Sequence, residues 1–297
     1  MMAGWRPEKL IPVFLLVLAA AGPVSAAVRA VDDGGRAIGL TAPARRIISL
    51  SPHVTEMVFA AGAGDRLVGV TSFNDYPEPA KKIARVGSYG KIDAERILAL
   101  KPDLVIGWQS GNSAADLARL ERLGIPVFLT EPRRLEDIPR LIESIGELSG
   151  TRPAAAQSAA RFRAELAELQ RRYSGRQPVR VFYEIWHEPL ITINGEHLIS
   201  DVIRLCGGRN VFASAGNLTP TVAMENVLAE DPDAIVASAP LDGWQRYPRL
   251  AAVRHARLFF IHPDLIQRQT PRILGGARLM CEQLERVRQS RGQGRSD

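Results

Sequence analysis

Cysteine, histidine and aromatic residues are sparse in this 297-residue chain, and several catalytic signatures are missing altogether. There is no Gly-x-x-x-x-Gly-Lys-Ser/Thr run, which removes the phosphate-cradling loop of P-loop nucleotide hydrolases. Gly62-Ala63-Gly64 supplies the first two glycines of a dinucleotide fingerprint without the third, and it reads as a turn closing a helix. Gly107-Trp108-Gln109-Ser110-Gly111 sets its serine one place too late for a nucleophile elbow. The five histidines, His53, His187, His197, His255 and His262, include no pair at the i, i+4 spacing of helical zinc sites, so no metal site is expected. Only His187, beside Glu188 at the end of an expected strand, remains a candidate ligand contact. An enzyme is therefore not the expected reading.

A basic block interleaved with aromatics is also missing. The formal net charge is +6, but the arginines are spread along the chain and read as solvated surface, so nucleic acid is not an expected partner. An apolar run long enough to span a bilayer, about 20 residues, is absent too. The run from Leu10 to Ala21 follows Arg6 and Lys9 and ends in Gly22-Pro23, then Val24-Ser25-Ala26-Ala27, which is the order of a secretory signal. Cleavage after Ala26 is expected, leaving a net charge of about +5. No cysteine lies there to carry a lipid, so a soluble periplasmic protein, acting as a monomer, is expected. Two cysteines, Cys206 and Cys281, remain. In an oxidising compartment they would form one disulfide, stabilising by roughly 4 kcal/mol on the chain-entropy argument; the alternative is two buried thiols.

What is present is an alternation of strands and helices. A hairpin turning at Asp32-Asp33-Gly34-Gly35 precedes a buried strand at Arg46 to Leu50, and Ser51-Pro52 opens a helix. Strands at 67–71, 104–107 and 127–129 alternate with helices at 93–100, 113–123 and 135–148, which implies a parallel sheet covered on both faces. Between 153 and 173, Ala159, Phe162, Leu166, Leu169 and Tyr173 recur at steps of three and four, giving one amphipathic helix about 30 Å long. The pattern then restarts, with strands at 179–185, 235–237 and 258–261, a helix at 199–205, and a last helix from Pro271 to about Val287.

One segment occurs twice. Asp93-Ala-Glu95-Arg-Ile-Leu98-Ala-Leu-Lys-Pro102-Asp103 is answered 130 residues later by Ala223-Met-Glu225-Asn-Val-Leu228-Ala-Glu-Asp-Pro232-Asp233. In each copy a glutamate in the first helical turn is followed seven residues later by Pro-Asp and a buried strand. A carboxylate there complements the helix dipole, yet the same placement on both sides of the long helix also suits paired docking. The expected fold is α/β: two Rossmann-like lobes with parallel sheets, 27–150 and 177–288, joined by a helix at 151–176, with a ligand cleft between them and a disordered tail at 289–297. Ligands of open α/β sheets sit beyond the carboxyl ends of the strands. Phe73, Tyr76, Tyr89, Trp108, Trp186 and His187 all fall at such ends or in loops, offering flat stacking surface for a bulky ligand.

The segments Arg46-Ile-Ile-Ser-Leu-Ser-Pro-His-Val-Thr-Glu56, Asn74-Asp-Tyr-Pro77, Lys101-Pro-Asp-Leu-Val-Ile-Gly-Trp108 and Leu205-Cys-Gly-Gly-Arg-Asn-Val-Phe212, in this order and with the repeated segment, resemble the class III periplasmic substrate-binding proteins. The resemblance covers residues 45 to 287 and is strongest to the cobalamin-binding members that serve ABC importers. It implies that Glu95 and Glu225 pair with arginines of a membrane permease dimer and that Cys206 and Cys281 form a disulfide of the second lobe. It also implies that a corrinoid, carried as ligand rather than held as cofactor, meets Phe73, Tyr89, Trp108, Gln267 and Arg268. Phe73 and Tyr89 stand where the family has a tyrosine and a tryptophan, and Thr219 replaces another cleft tryptophan. Trp186 is expected to supply the lost surface. Haem or ferric-siderophore carriage by the same fold is the alternative, with His187 and Tyr89 as candidate iron ligands; a periplasmic α/β enzyme is a remote one.

Overall fold

The structure, a computed structural model, describes Met1, residues 27–88 and residues 90–293. The expected signal, 1–26, lies outside the described residues apart from Met1, as does Tyr89. The described chain begins with the expected hairpin, β1 (Val28–Val31) against β2 (Ala37–Leu40), turning through Gly35 at a φ of 77°. The first sheet is built from β3 (Ile47–Ser49), α1 (Pro52–Ala60), β4 (Leu67–Val70), α2 (Ala94–Ala99), β5 (Leu104–Trp108), α3 (Ala114–Arg122), β6 (Val127–Thr130) and α4 (Asp137–Ser149). After the long helix α5 (Arg152–Tyr173) come β7 (Val179–Glu184), α6 (Leu198–Leu205), β8 (Gly208–Asn210), α7 (Met224–Glu230), β9 (Ala234–Ala237), α8 (Ala251–Arg254), β10 (Leu258–Phe260), α9 (Pro263–Ile266) and α10 (Ile273–Gln293).

Both four-stranded sheets are wholly parallel, in the orders β4-β3-β5-β6 and β8-β7-β9-β10. Counted from the first strand of each, the order is the same, 2-1-3-4, so the repeated segment reflects a repeated topology. Side chains alternate across a strand, and each sheet therefore faces two cores. Ile47, Leu104 and Ile106 point to one and Ile48 and Val105 to the other; Val181 and Tyr183 oppose Phe182 in the same way. The core that takes Ile47 and Val181 is continuous through both lobes. Helix α5 joins it with Ala155, Phe162, Leu166, Leu169 and Tyr173, the stripe expected from the sequence. At 22 residues this helix is about 33 Å long, and it packs along its length instead of hanging free.

The disulfide is present: Cys206, capping the C-terminus of α6, joins Cys281 of α10 across a separation of 75 residues. The end of the chain departs from expectation. The helix expected to stop near Val287, with a disordered tail at 289–297, runs on to Gln293. Polar residues there find partners on the body of the lobe. Arg257 donates to Ser290 Oγ at 2.9 Å, Ser290 Oγ donates to the Val287 carbonyl, and Arg291 pairs with Asp233. Residues 294–297 lie outside the described residues.

Candidate ligand cleft and docking surface

Loops at the carboxyl ends of both sheets face each other across a recess of about 280 Å³ that opens to solvent. Ser51, Pro52, His53, Phe73 and Trp108 line it from the first lobe, and Pro263, Asp264, Gln267, Arg268 and Gln269 from the second. The recess thus unites four of the expected ligand residues, Phe73, Trp108, Gln267 and Arg268. Phe73 holds a φ of 62°, which costs energy for a residue with a side chain, and the residue is 73% exposed. Trp186 is not among the lining residues; it stands 58% exposed beyond the end of β7, its indole N–H donating to the Glu188 carbonyl at 2.8 Å.

Arg268 ties the two lobes together. Its guanidinium donates to Glu56 Oε1 at 3.0 Å and Asp75 Oδ1 at 2.7 Å in the first lobe, and pairs with Asp264 at 3.0 Å in its own. Arg272 adds a contact to Glu56 at 3.3 Å and stacks 4.3 Å above the Tyr76 ring. Burial opposes the Arg268 charge, but hydrogen bonds to Asp75 and Glu56 outweigh it and hold the pKa above its ordinary value. Burial likewise pushes the Glu56 carboxyl up, and Arg268 offsets this only in part. The two directions agree once the oxygens are separated: Oε1 has both arginines, whereas Oε2 is buried without a partner among the described residues. Glu56, Asp75 and Asp264 were not singled out in the sequence, because their pairing spans up to 216 residues and no local pattern marks it.

His53 was also missed. It sits in the first turn of α1, with Nδ1 3.1 Å from Ser51 Oγ and its ring edge-on to Trp108 at 5.2 Å. Burial, reinforced by Arg268, pushes its pKa down to about 3 from an ordinary 6.5. The unfolded chain therefore takes up this proton below about pH 6.5 and the folded chain does not until about pH 3. Stability contributed by the neutral ring is complete above pH 6.5 and is lost as pH falls towards 3. Between pH 7 and pH 5 the loss is expected to be about 2 kcal/mol. His53→Gln removes the titrating group, so urea unfolding at the two pH values is expected to show a pH difference smaller by that amount than in the wild type. An identical pH difference in both proteins would rule the assignment out.

The repeated segment explains itself residue by residue, apart from its glutamates. Asp103 accepts from the backbone N–H groups of Arg45 and Arg46 at 2.7 and 2.9 Å, pinning β5 to the start of β3; Asp233 accepts from the Arg180 N–H at 2.7 Å, pinning β9 to β7. Arg46 donates to the Leu100 carbonyl at the end of α2, and Arg180 donates to the Glu230 and Asp231 carbonyls at the end of α7. The chain leaves both helices through a residue of positive φ, Lys101 at 46° and Asp231 at 36°. Glu95 and Glu225 are exposed in the first turns of α2 and α7, and among the described residues neither forms a hydrogen bond or ion pair. Beside them on the same helical face are Leu98 and Leu228, 40% and 39% exposed.

Two like-ordered parallel sheets bridged by a packed helix, with an open recess where their loops converge, describe a receptor for a solute. The chain belongs to the periplasmic binding protein family, whose profile matches residues 47–265. It is 39% identical over 255 residues to the vitamin B12-binding protein of Vibrio parahaemolyticus serotype O3:K6, an alignment covering 84% of this chain and 92% of that one. Among solved structures it is similar to the periplasmic vitamin B12 binding protein BtuF of Vibrio cholerae, with a TM-score of 0.79 and 37% identity over 83% of this chain and 98% of the other. The periplasmic heme-binding protein RhuT from Roseiflexus sp. RS-1 shares the fold at a TM-score of 0.70 and 25% identity, over 82% and 98%.

Proposed function

We propose that this chain captures a corrinoid, cobalamin, in the periplasm and delivers it to the permease of an ABC importer. After removal of residues 1–26, two lobes at 27–150 and 177–288 hold the ligand between them and the helix at 151–176 spaces them. The observation that carries the corrinoid is the recess itself, where Trp108 and Phe73 offer ring surface. The relatives whose names specify a ligand at 37–39% identity bind vitamin B12. Gln267 and Arg268 face the same ligand from the second lobe. Tyr89 belongs to this wall by family resemblance alone.

Titration with cyanocobalamin, followed by tryptophan fluorescence, tests the reading, with haemin as the competing ligand. Saturable binding of cyanocobalamin with none of haemin is expected; the reverse overturns it. Trp108→Ala is expected to weaken cyanocobalamin binding by about 2 kcal/mol, roughly 30-fold, as truncation of a central aromatic anchor does. Trp186 is free to lie against a ligand that extends past the recess, compensating for the threonine at 219. An affinity unchanged in Trp186→Ala while Trp108→Ala weakens it would show that no such compensation operates.

Delivery rests on Glu95 and Glu225. Each is an unpartnered carboxylate beside an exposed leucine, and arginines of the two permease subunits are the partners this charge fits.

A further inference from the structure

We propose that the second lobe carries an oxyanion site, built around Arg257 at the end of its sheet remote from the recess and suited to a phosphate group. None of its residues lines the recess, and the site is independent of the corrinoid reading.

Gln177, Asp233 and Arg257 stand just before β7, β9 and β10, so they gather at the amino ends of three neighbouring parallel strands. With His255, Ser290 and Arg291 they line an open cavity of about 700 Å³, larger than the recess between the lobes. The loop that carries Asp264, Gln267 and Arg268 into the recess leaves the opposite, carboxyl end of the same sheet.

Arg257 is the one arginine among the described residues that is buried as a whole, at 9% exposure, and it forms no ion pair with any of them. Its backbone is fixed on both sides: the N–H donates to the Ala252 carbonyl at 2.7 Å, and the carbonyl accepts from the Ile235 N–H at 3.1 Å. Its guanidinium is oriented by Ser290, whose Oγ accepts from Nη2 at 2.9 Å and passes its own proton to the Val287 carbonyl. Nε is buried without a partner. Nη1 makes no hydrogen bond but keeps contact with solvent, and so it opens on the cavity that this side chain lines.

A guanidinium stays charged, and taking it out of water without a counter-charge is expensive. The acid at hand does not supply one. Asp233 spends Oδ2 on the Arg180 N–H at 2.7 Å and Oδ1 on Arg291. Burial pushes the Arg257 pKa below its ordinary value, the Arg291 charge adds to this, and Asp233 offsets them only in part. Two cations against one carboxylate leave a positive charge on the cavity wall, with the exposed His255 and Gln177 beside it. An anion with several acceptor oxygens answers that arrangement. One oxygen accepts from Arg257 Nη1 and others from the neighbouring donors, and such charge-assisted bonds are the strong kind. Inorganic phosphate and a phosphate monoester share this chemistry.

Calorimetric titration of the purified protein with inorganic phosphate and with glycerol 3-phosphate, each against chloride at equal ionic strength, tests the site. One-to-one binding of at least one of them is expected, with a dissociation constant below about 1 mM, and the tighter of the two tells free phosphate from a monoester. Arg257→Gln is expected to weaken that binding at least about tenfold, and Ser290→Ala, which only frees the guanidinium to turn, about threefold. Phosphate also stabilises proteins by exclusion from their surface, so the variants are compared with the wild type in the same salts. No binding by the wild type, or binding of equal strength in Arg257→Gln, overturns the proposal. Should Arg257→Gln fail to fold, the exposed Ser290→Ala decides, and an unchanged affinity there overturns the proposal as well.

Discussion

Reversing both lobe-surface carboxylates together, Glu95→Lys with Glu225→Lys, is expected to reduce cobalamin uptake to the level of cells lacking the protein. The purified double variant is expected to keep its cyanocobalamin affinity within about twofold. The size of the first effect follows from placing like charges against each other at an interface, which costs several kcal/mol and removes the steering that brings partners together. The absence of the second follows from position. Both glutamates are solvent-exposed on α2 and α7, neither lines the recess, and neither holds any described part of its own lobe. The aspartates and left-handed residues of the same segments hold their lobes, together with Arg46 and Arg180 at the starts of β3 and β7, whereas the glutamates hold nothing among the described residues. Uptake of labelled cobalamin and titration of the purified protein are the two measurements. Lost ligand binding, or uptake that survives, would each refute the assignment.

Replacing both cysteines, Cys206→Ala with Cys281→Ala, is expected to lower unfolding stability by about 4 kcal/mol. The bond closes a loop of 75 residues, and most of its contribution on the chain-entropy argument comes from restricting the unfolded chain. Both residues are fully buried in the core that α10 shares with α6, so alanine leaves a small apolar gap and no stranded hydroxyl. Urea unfolding of the oxidised wild type and of the variant gives the difference directly. A change below about 1 kcal/mol would mean that the unfolded chain is already confined without the bond.

Much of this architecture can be read from local pattern. The stripe of Phe162, Leu166, Leu169 and Tyr173 announces α5, Ser51-Pro52 announces α1, and the matched Pro-Asp segments announce two sheets of one topology, since each depends only on neighbours a few residues away. The short elements β8, α8 and α9 escaped because tertiary contacts define them more than propensity does. The floor of the cleft escaped for a related reason. Nothing near Glu56 in sequence indicates that Arg268 will cover it. The C-terminal turn of α10 looked like a solvated tail because Ser290 and Arg291 are polar, yet Arg257 and Asp233 were waiting for them.

The lobes are fastened twice, by a helix sunk into a shared core and by an arginine gripping carboxylates on the far side. A body fastened this way is expected to keep nearly the same outline whether empty or loaded. On the transport reading proposed above, an importer would have little shape by which to refuse an unladen copy, and overproducing the receptor in a vitamin-poor cell is expected to slow import.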